Sequence, residues 1–100
     1  MLLHVVNKSP FERNTLDSCL RTAKKGSSIL LIEDGVFGAL EGTMVSGRVK
    51  EAMADHKVYV LQPDLDARGI SGKLMDGIEA VDYSGFVDLT ESHSTVQSWL

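Results

Sequence analysis

Ile29-Leu30-Leu31-Ile32-Glu33-Asp34-Gly35 is the stretch that settles the architecture. Four consecutive apolar residues without alternation, closed by a Glu-Asp-Gly turn, read as a short strand buried on both faces. Such a strand belongs inside a parallel sheet, and the same signature finds its neighbours at Leu2 to Val6 and Val58 to Leu61, with a weaker run at Ile78 to Val81. The intervening segments read as helices. Strands alternating with helices predict the α/β class: a three-layer α/β/α sandwich around a mostly parallel sheet of about four to five strands, joined by right-handed crossovers.

The helices are located by their caps. Ser9-Pro10-Phe11-Glu12 has the form of a capping box with proline at the first helical position, which predicts a helix from there to about Lys25, ended by Gly26. Its Leu16, Cys19, Leu20 and Ala23 fall on one stripe, with Arg13, Asp17 and Arg21 opposite. Asp34 is the expected N-cap of a short helix over Val36 to Leu40, and Thr43 that of a further helix burying Val45, Val49, Ala52 and Met53. Asp64 is expected to cap one helical turn that leaves through Gly69, followed by loop from Ile70 to Gly77. Asp82 caps a last helix through about Ser92, with Phe86, Leu89, Thr90 and His93 on one face. Ser94 to Leu100 reads as a tail that carries the single tryptophan, Trp99.

At 100 residues, with 43% apolar and 24% charged side chains, the chain has the size and composition of one globular domain spanning 1–100. Its net charge of −4 argues against direct binding of nucleic acid, which needs a basic face. The opening apolar run stops at Asn7-Lys8, too short for a signal core or a membrane span, so the protein is expected to stay in the cytoplasm. The one cysteine fits a reducing compartment.

Ligands of open parallel sheets sit beyond the carboxyl ends of the strands, here Asn7-Lys8-Ser9, Glu33-Asp34-Gly35, Gln62-Pro63-Asp64 and Asp82-Tyr83-Ser84. Acidic residues dominate these turns, and no glycine-rich phosphate loop is present, so no cofactor is expected. His4, His56 and His93 lack the spacing of a metal site, and none is expected. His4 reads as a core strand residue. Cys19 is the single candidate for covalent chemistry, since one thiol suffices to take a sulfane sulfur as Cys–S–SH. Its place on the buried stripe, away from a helix N-terminus, argues for a raised pKa and an inert thiol. Trp99 is either folded onto the core or offered to a partner as an interface anchor.

The chain resembles the DsrH/TusB family of sulfur-relay proteins over essentially its whole length. The resemblance is carried by Leu3-His4-Val5-Val6-Asn7-Lys8-Ser9-Pro10-Phe11, Glu33-Asp34-Gly35-Val36, Tyr59-Val60-Leu61, Asp64-Leu65-Asp66-Ala67-Arg68-Gly69, Asp82-Tyr83-Ser84-Gly85-Phe86-Val87-Asp88-Leu89-Thr90 and Gln97-Ser98-Trp99. It implies a DsrE/DsrF-like, flavodoxin-like fold and a place as the mainly structural small subunit of a heterohexamer, beside DsrE/TusD-like and DsrF/TusC-like subunits. In that scheme a TusA-type donor supplies persulfide sulfur, the DsrE/TusD-like subunit carries it, and a DsrC/TusE-type protein accepts it. The chain would then not be catalytic on its own. Because DsrH proteins resemble it in having a cysteine in the first helix, Cys19 favours the DsrH branch and cytoplasmic sulfur oxidation. The near alternative is the TusB branch, which serves 2-thiolation of the tRNA wobble uridine.

Overall fold

In a computed structural model that describes residues Met1–Trp99, five strands form one sheet in the order β4-β3-β2-β1-β5. They are β1 (Leu2–Val6), β2 (Ser28–Leu31), β3 (Lys57–Leu61), β4 (Glu79–Val81) and β5 (Thr95–Trp99). Every pairing is parallel. The helices are α1 (Thr15–Thr22), α2 (Ser46–Ala52), α3 (Gln62–Ala67) and α4 (Tyr83–Ser92), with 3₁₀ segments at Glu33–Ala39 and Ser71–Lys73. Among the described residues no helix is long and apolar enough to cross a membrane.

The strand order dictates which face each helix covers. From β1 to β4 every crossover steps one strand in the same direction, and right-handedness then puts their helices on one face. The return from β4 to the far side of β1 runs the opposite way, which sends α4 to the other face. The side chains follow this division. Val6, Ile29, Leu31, Val58 and Val60 pack under Leu16, Cys19, Val36, Val49 and Leu65, whereas Leu3, Val5 and Leu30 lie on the other face with Ile32, Tyr59 and Val81 and are covered by Phe86 and Leu89 of α4. The order differs from the 2-1-3-4-5 of flavodoxin itself, although the layered parallel architecture is shared.

Several local expectations are corrected. The first helix begins at Thr15, not Pro10, and stops at Thr22. Ser9 Oγ does accept from Phe11 N at 3.2 Å, but the Ser9 carbonyl takes both Glu12 N and Arg13 N, closing a turn rather than opening a helix. Tertiary packing selects the turn: Pro10 and Leu16 both lie against Gly38 of the 3₁₀ segment, where a Cβ would come within 2.8 Å of Leu16. Thr43 shapes the turn ahead of α2, its Oγ1 accepting from Val45 N, and is not the cap. Neither Asp34 nor Asp64 caps its helix, since both side chains are engaged elsewhere. The loop after Gly69 contains the 3₁₀ turn Ser71–Lys73, and the tail is the fifth strand. Asp82 caps α4 as expected, accepting from Gly85 N at 2.8 Å.

Two glycines give opposite tests of this packing. A Cβ at Gly35 would overlap the Val6 carbonyl oxygen, whereas one at Gly47, exposed in α2, meets nothing within 4 Å. Gly35→Ala is expected to destabilise by about 2–4 kcal/mol in urea unfolding. Gly47→Ala is expected to stabilise by roughly 0.5–1 kcal/mol through helix propensity and unfolded-state entropy.

Candidate functional site

The carboxyl ends of β1, β2 and β3 are occupied by the chain itself. Ile32 N donates to the Val6 carbonyl at 3.0 Å as the last bond of the β1–β2 ladder, and Gly35 then lies against the Val6 carbonyl, so the chain leaving β2 crosses the end of β1. Glu33 takes a left-handed conformation (φ 50°) there, and its N–H donates to Asp64 Oδ2 at 2.6 Å. Arg68 reaches Asp34 Oδ1 with Nε at 3.1 Å and Nη2 at 2.9 Å, and donates through Nη1 to the Asp64 carbonyl. Asp66 accepts from Gln62 and Ser71, and those hydrogen bonds hold its carboxyl below the usual range. Two of the acidic turns that sequence marks as the place for a ligand, Glu33-Asp34-Gly35 and Gln62-Pro63-Asp64, are thus joined to each other, while Asp82 of the last turn caps α4.

Cys19 lies within the core, 0% exposed, on the stripe of α1 that seats on the sheet. Burial alone pushes its thiol up to about 12. At pH 8 such a group is ionised on the order of one part in ten thousand, roughly a thousandfold less than an ordinary thiol, and the thiolate is the nucleophile. To react, Cys19 would have to leave the core with α1.

The three histidines are held apart by different structural partners. His56 Nδ1 donates to the Ser27 carbonyl at 3.0 Å, and His93 Nδ1 donates to the Leu89 carbonyl at 2.7 Å while its Nε2 lies 2.9 Å from Ser28 Oγ. His4, 3% exposed on β1, receives the indole N–H of Trp99 at Nδ1 over 3.0 Å. Because indole can only donate, the His4 proton must sit on Nε2. That N–H is buried and has no partner among the described residues. Trp99 is half-buried, packed on the edge of the core through β5, with its ring tilted 46° to His4. Sequence reasoning found both residues but not their contact, because register places Trp99 beside Val6, one pleat along from His4.

Comparison with known proteins adds to this geometry. A family described as "DsrH like protein" matches residues 8–96. Among curated relatives, Protein TusB of Pectobacterium parmentieri is 34% identical and Protein TusB of Enterobacter sp. (strain 638) 38%, each match covering 98% of this chain and all of the relative. Among solved structures, the ychN protein of E. coli superposes with a TM-score of 0.83 at 22% identity, covering 98% of this chain and 97% of that one, a likeness of fold. A Thermotoga maritima protein gives 0.64 at 30% identity over 93% of this chain and 94% of its own.

The His4–Trp99 pair has a pH consequence. Burial, and then the charge of His56, lowers the His4 pKa below 6.5. The stability of the neutral ring is fully present above pH 6.5 and is lost as pH falls through the lowered folded pKa, because the unfolded state takes the proton first. Protonation also fills Nδ1, displacing the Trp99 donor. Trp99 emission should therefore change on acidification with a midpoint below 6.5, and His4→Gln, whose amide oxygen still accepts but does not titrate, should abolish that response.

Proposed function

Because the chain belongs to the DsrH-like family, we propose that it is a non-catalytic, TusB-type subunit of a cytoplasmic sulfur relay, assembled with TusD-like and TusC-like subunits into a heterohexamer. The observation that carries this reading is the burial of Cys19, the chain's one thiol, whose pKa is raised far from thiolate chemistry at neutral pH. In the relay a thiolate on the TusD-like subunit attacks the terminal sulfur of a TusA-type persulfide. The S–S bond of the donor breaks, its cysteine leaves as thiolate, and the sulfur passes on to a TusE-type acceptor. This chain would support the geometry of that exchange without taking the sulfur.

The relatives, and not Cys19, support the choice of branch. Full-length similarity to proteins named TusB favours the pathway of tRNA wobble-uridine 2-thiolation over the sulfur-oxidation role of DsrH-type complexes. The cysteine in the first helix leans the other way in sequence, but here it fills core space with Leu16, and packing can retain it in either branch. With a net charge of −4, the chain would meet tRNA only through the final acceptor of the relay.

Expression of this chain in a bacterium lacking TusB should restore 2-thiouridine at the wobble position, and native mass spectrometry should recover it with both homologous subunits. An assembled complex that leaves the tRNA unthiolated would contradict the pathway. Within the assembly, Cys19→Ala should pass sulfur to the acceptor within about twofold of the parent rate. A loss of a hundredfold or so, with the complex intact, would make Cys19 a carrier after all.

A further inference from the structure

β5 is an edge strand with little protection. Among the described residues it pairs with β1 on one side only, so its other side presents unpaired main-chain donors and acceptors. Edge strands are usually guarded by lysine, proline or a bulge. Thr95-Val96-Gln97-Ser98-Trp99 has neither charge nor proline, and its first four residues are exposed. Beside it, on the α1 face of the sheet, opens a groove of about 720 Å³, whose walls include Leu2, His4, Thr22, Lys24, Gln97 and Trp99. His4, on this wall, has a buried N–H with no partner among the described residues.

The charge of the groove is opposite to that of the protein. Among the described residues no Asp or Glu lines it, and its one formally charged side chain is Lys24, in a chain of net charge −4. Arg21, Lys25, Arg48 and Arg68 are all paired with carboxylates, whereas Lys24, like Lys8, Arg13, Lys50, Lys57 and Lys73, has no ion pair among the described residues; its place on the wall of this groove is what sets it apart.

We infer that the β5 edge and this groove dock an extended, acidic segment of a partner subunit, which adds a strand along β5 and lays a carboxylate against Lys24. The inference rests on the assembly proposed above and names the surface it uses. Main-chain pairing supplies the affinity, as in other cases of strand addition, and the lysine selects an acidic sequence. The competing occupant is a second copy of this chain, whose opposite edge, β4, carries Glu79. That edge is three residues long against the five of β5, and pairing β4 on β5 is head-to-tail and does not close; pairing β5 on β5 would close as a two-fold dimer, but the strand it adds has no carboxylate for Lys24.

The test compares hydrogen exchange at Thr95–Trp99 in the isolated chain and in the complex co-expressed with the two homologous subunits. It is run with Lys24→Glu and with Lys50→Glu, an exposed lysine on α2, as the control for net charge. On assembly the outward β5 amides should slow at least about tenfold, Lys24→Glu should weaken assembly about tenfold or more, and Lys50→Glu should match the parent. If the complex forms while β5 exchanges as fast as in the isolated chain, or if both charge reversals weaken it equally, the docking surface is wrong and the relay reading stands. Absence of any complex removes the relay reading and this inference with it. Concentration-dependent protection of β5 in the isolated chain would assign the edge to a second copy and overturn the inference.

Discussion

The carbonyl of Val6 at the end of β1 is the point on which the remaining structure depends. It accepts the N–H of Ile32, and it lies so close to Gly35 that no side chain fits there. The chain leaving β2 must therefore pass directly over the end of β1, in the space where open α/β sheets usually hold a ligand. That passage puts Glu33 into a left-handed conformation and aims its N–H at Asp64, while Asp34 faces Arg68. One close approach thus ties β1, β2 and the start of α3 together and uses the acidic side chains as fasteners. The Glu33-Asp34-Gly35 and Asp64-to-Arg68 motifs are two halves of one tertiary contact, which accounts for their appearing together in a recognisable sequence.

Much of the layout was legible in the chain because burial leaves a strong signal. Leu2–Val6, the Ile29 run and the Val58 run are near-continuously apolar since each is covered on both faces, and the stripe through Leu16 and Cys19 correctly foretold a buried thiol. What escaped has a shared physical cause. β5 pairs on one side and buries little, so Thr-Val-Gln-Ser-Trp carries none of the apolar density that marks β1. The start of α1 obeyed long-range packing of Pro10 on Gly38 over a sound local capping pattern. Asp34 and Asp64 have the composition of helix caps, yet their partners lie 34 and 31 residues away, a distance at which local rules are blind. The Trp99–His4 bond, spanning 95 positions, is of the same kind.

The two faces of the sheet are unequal, and this inequality directs function outward. Three α-helices and the first 3₁₀ segment seal one face over Cys19, while α4 covers the other alone and leaves Tyr83 and Val87 in water. The thiol and the three imidazoles are buried or hydrogen-bonded, and β5 leaves one side of its main chain unpaired among the described residues. A subunit built this way would contribute shape and contact, as the proposed relay role requires.

The central claim is that this chain does not itself carry sulfur. The most direct measurement is the intact mass of the folded, isolated chain after exposure to a persulfide donor at neutral pH, read beside the same chain unfolded in urea. The account predicts no gain of mass in the folded chain and addition of sulfur at Cys19 only after unfolding. One additional sulfur atom on Cys19 of the folded chain, acquired as fast as in urea, would contradict it.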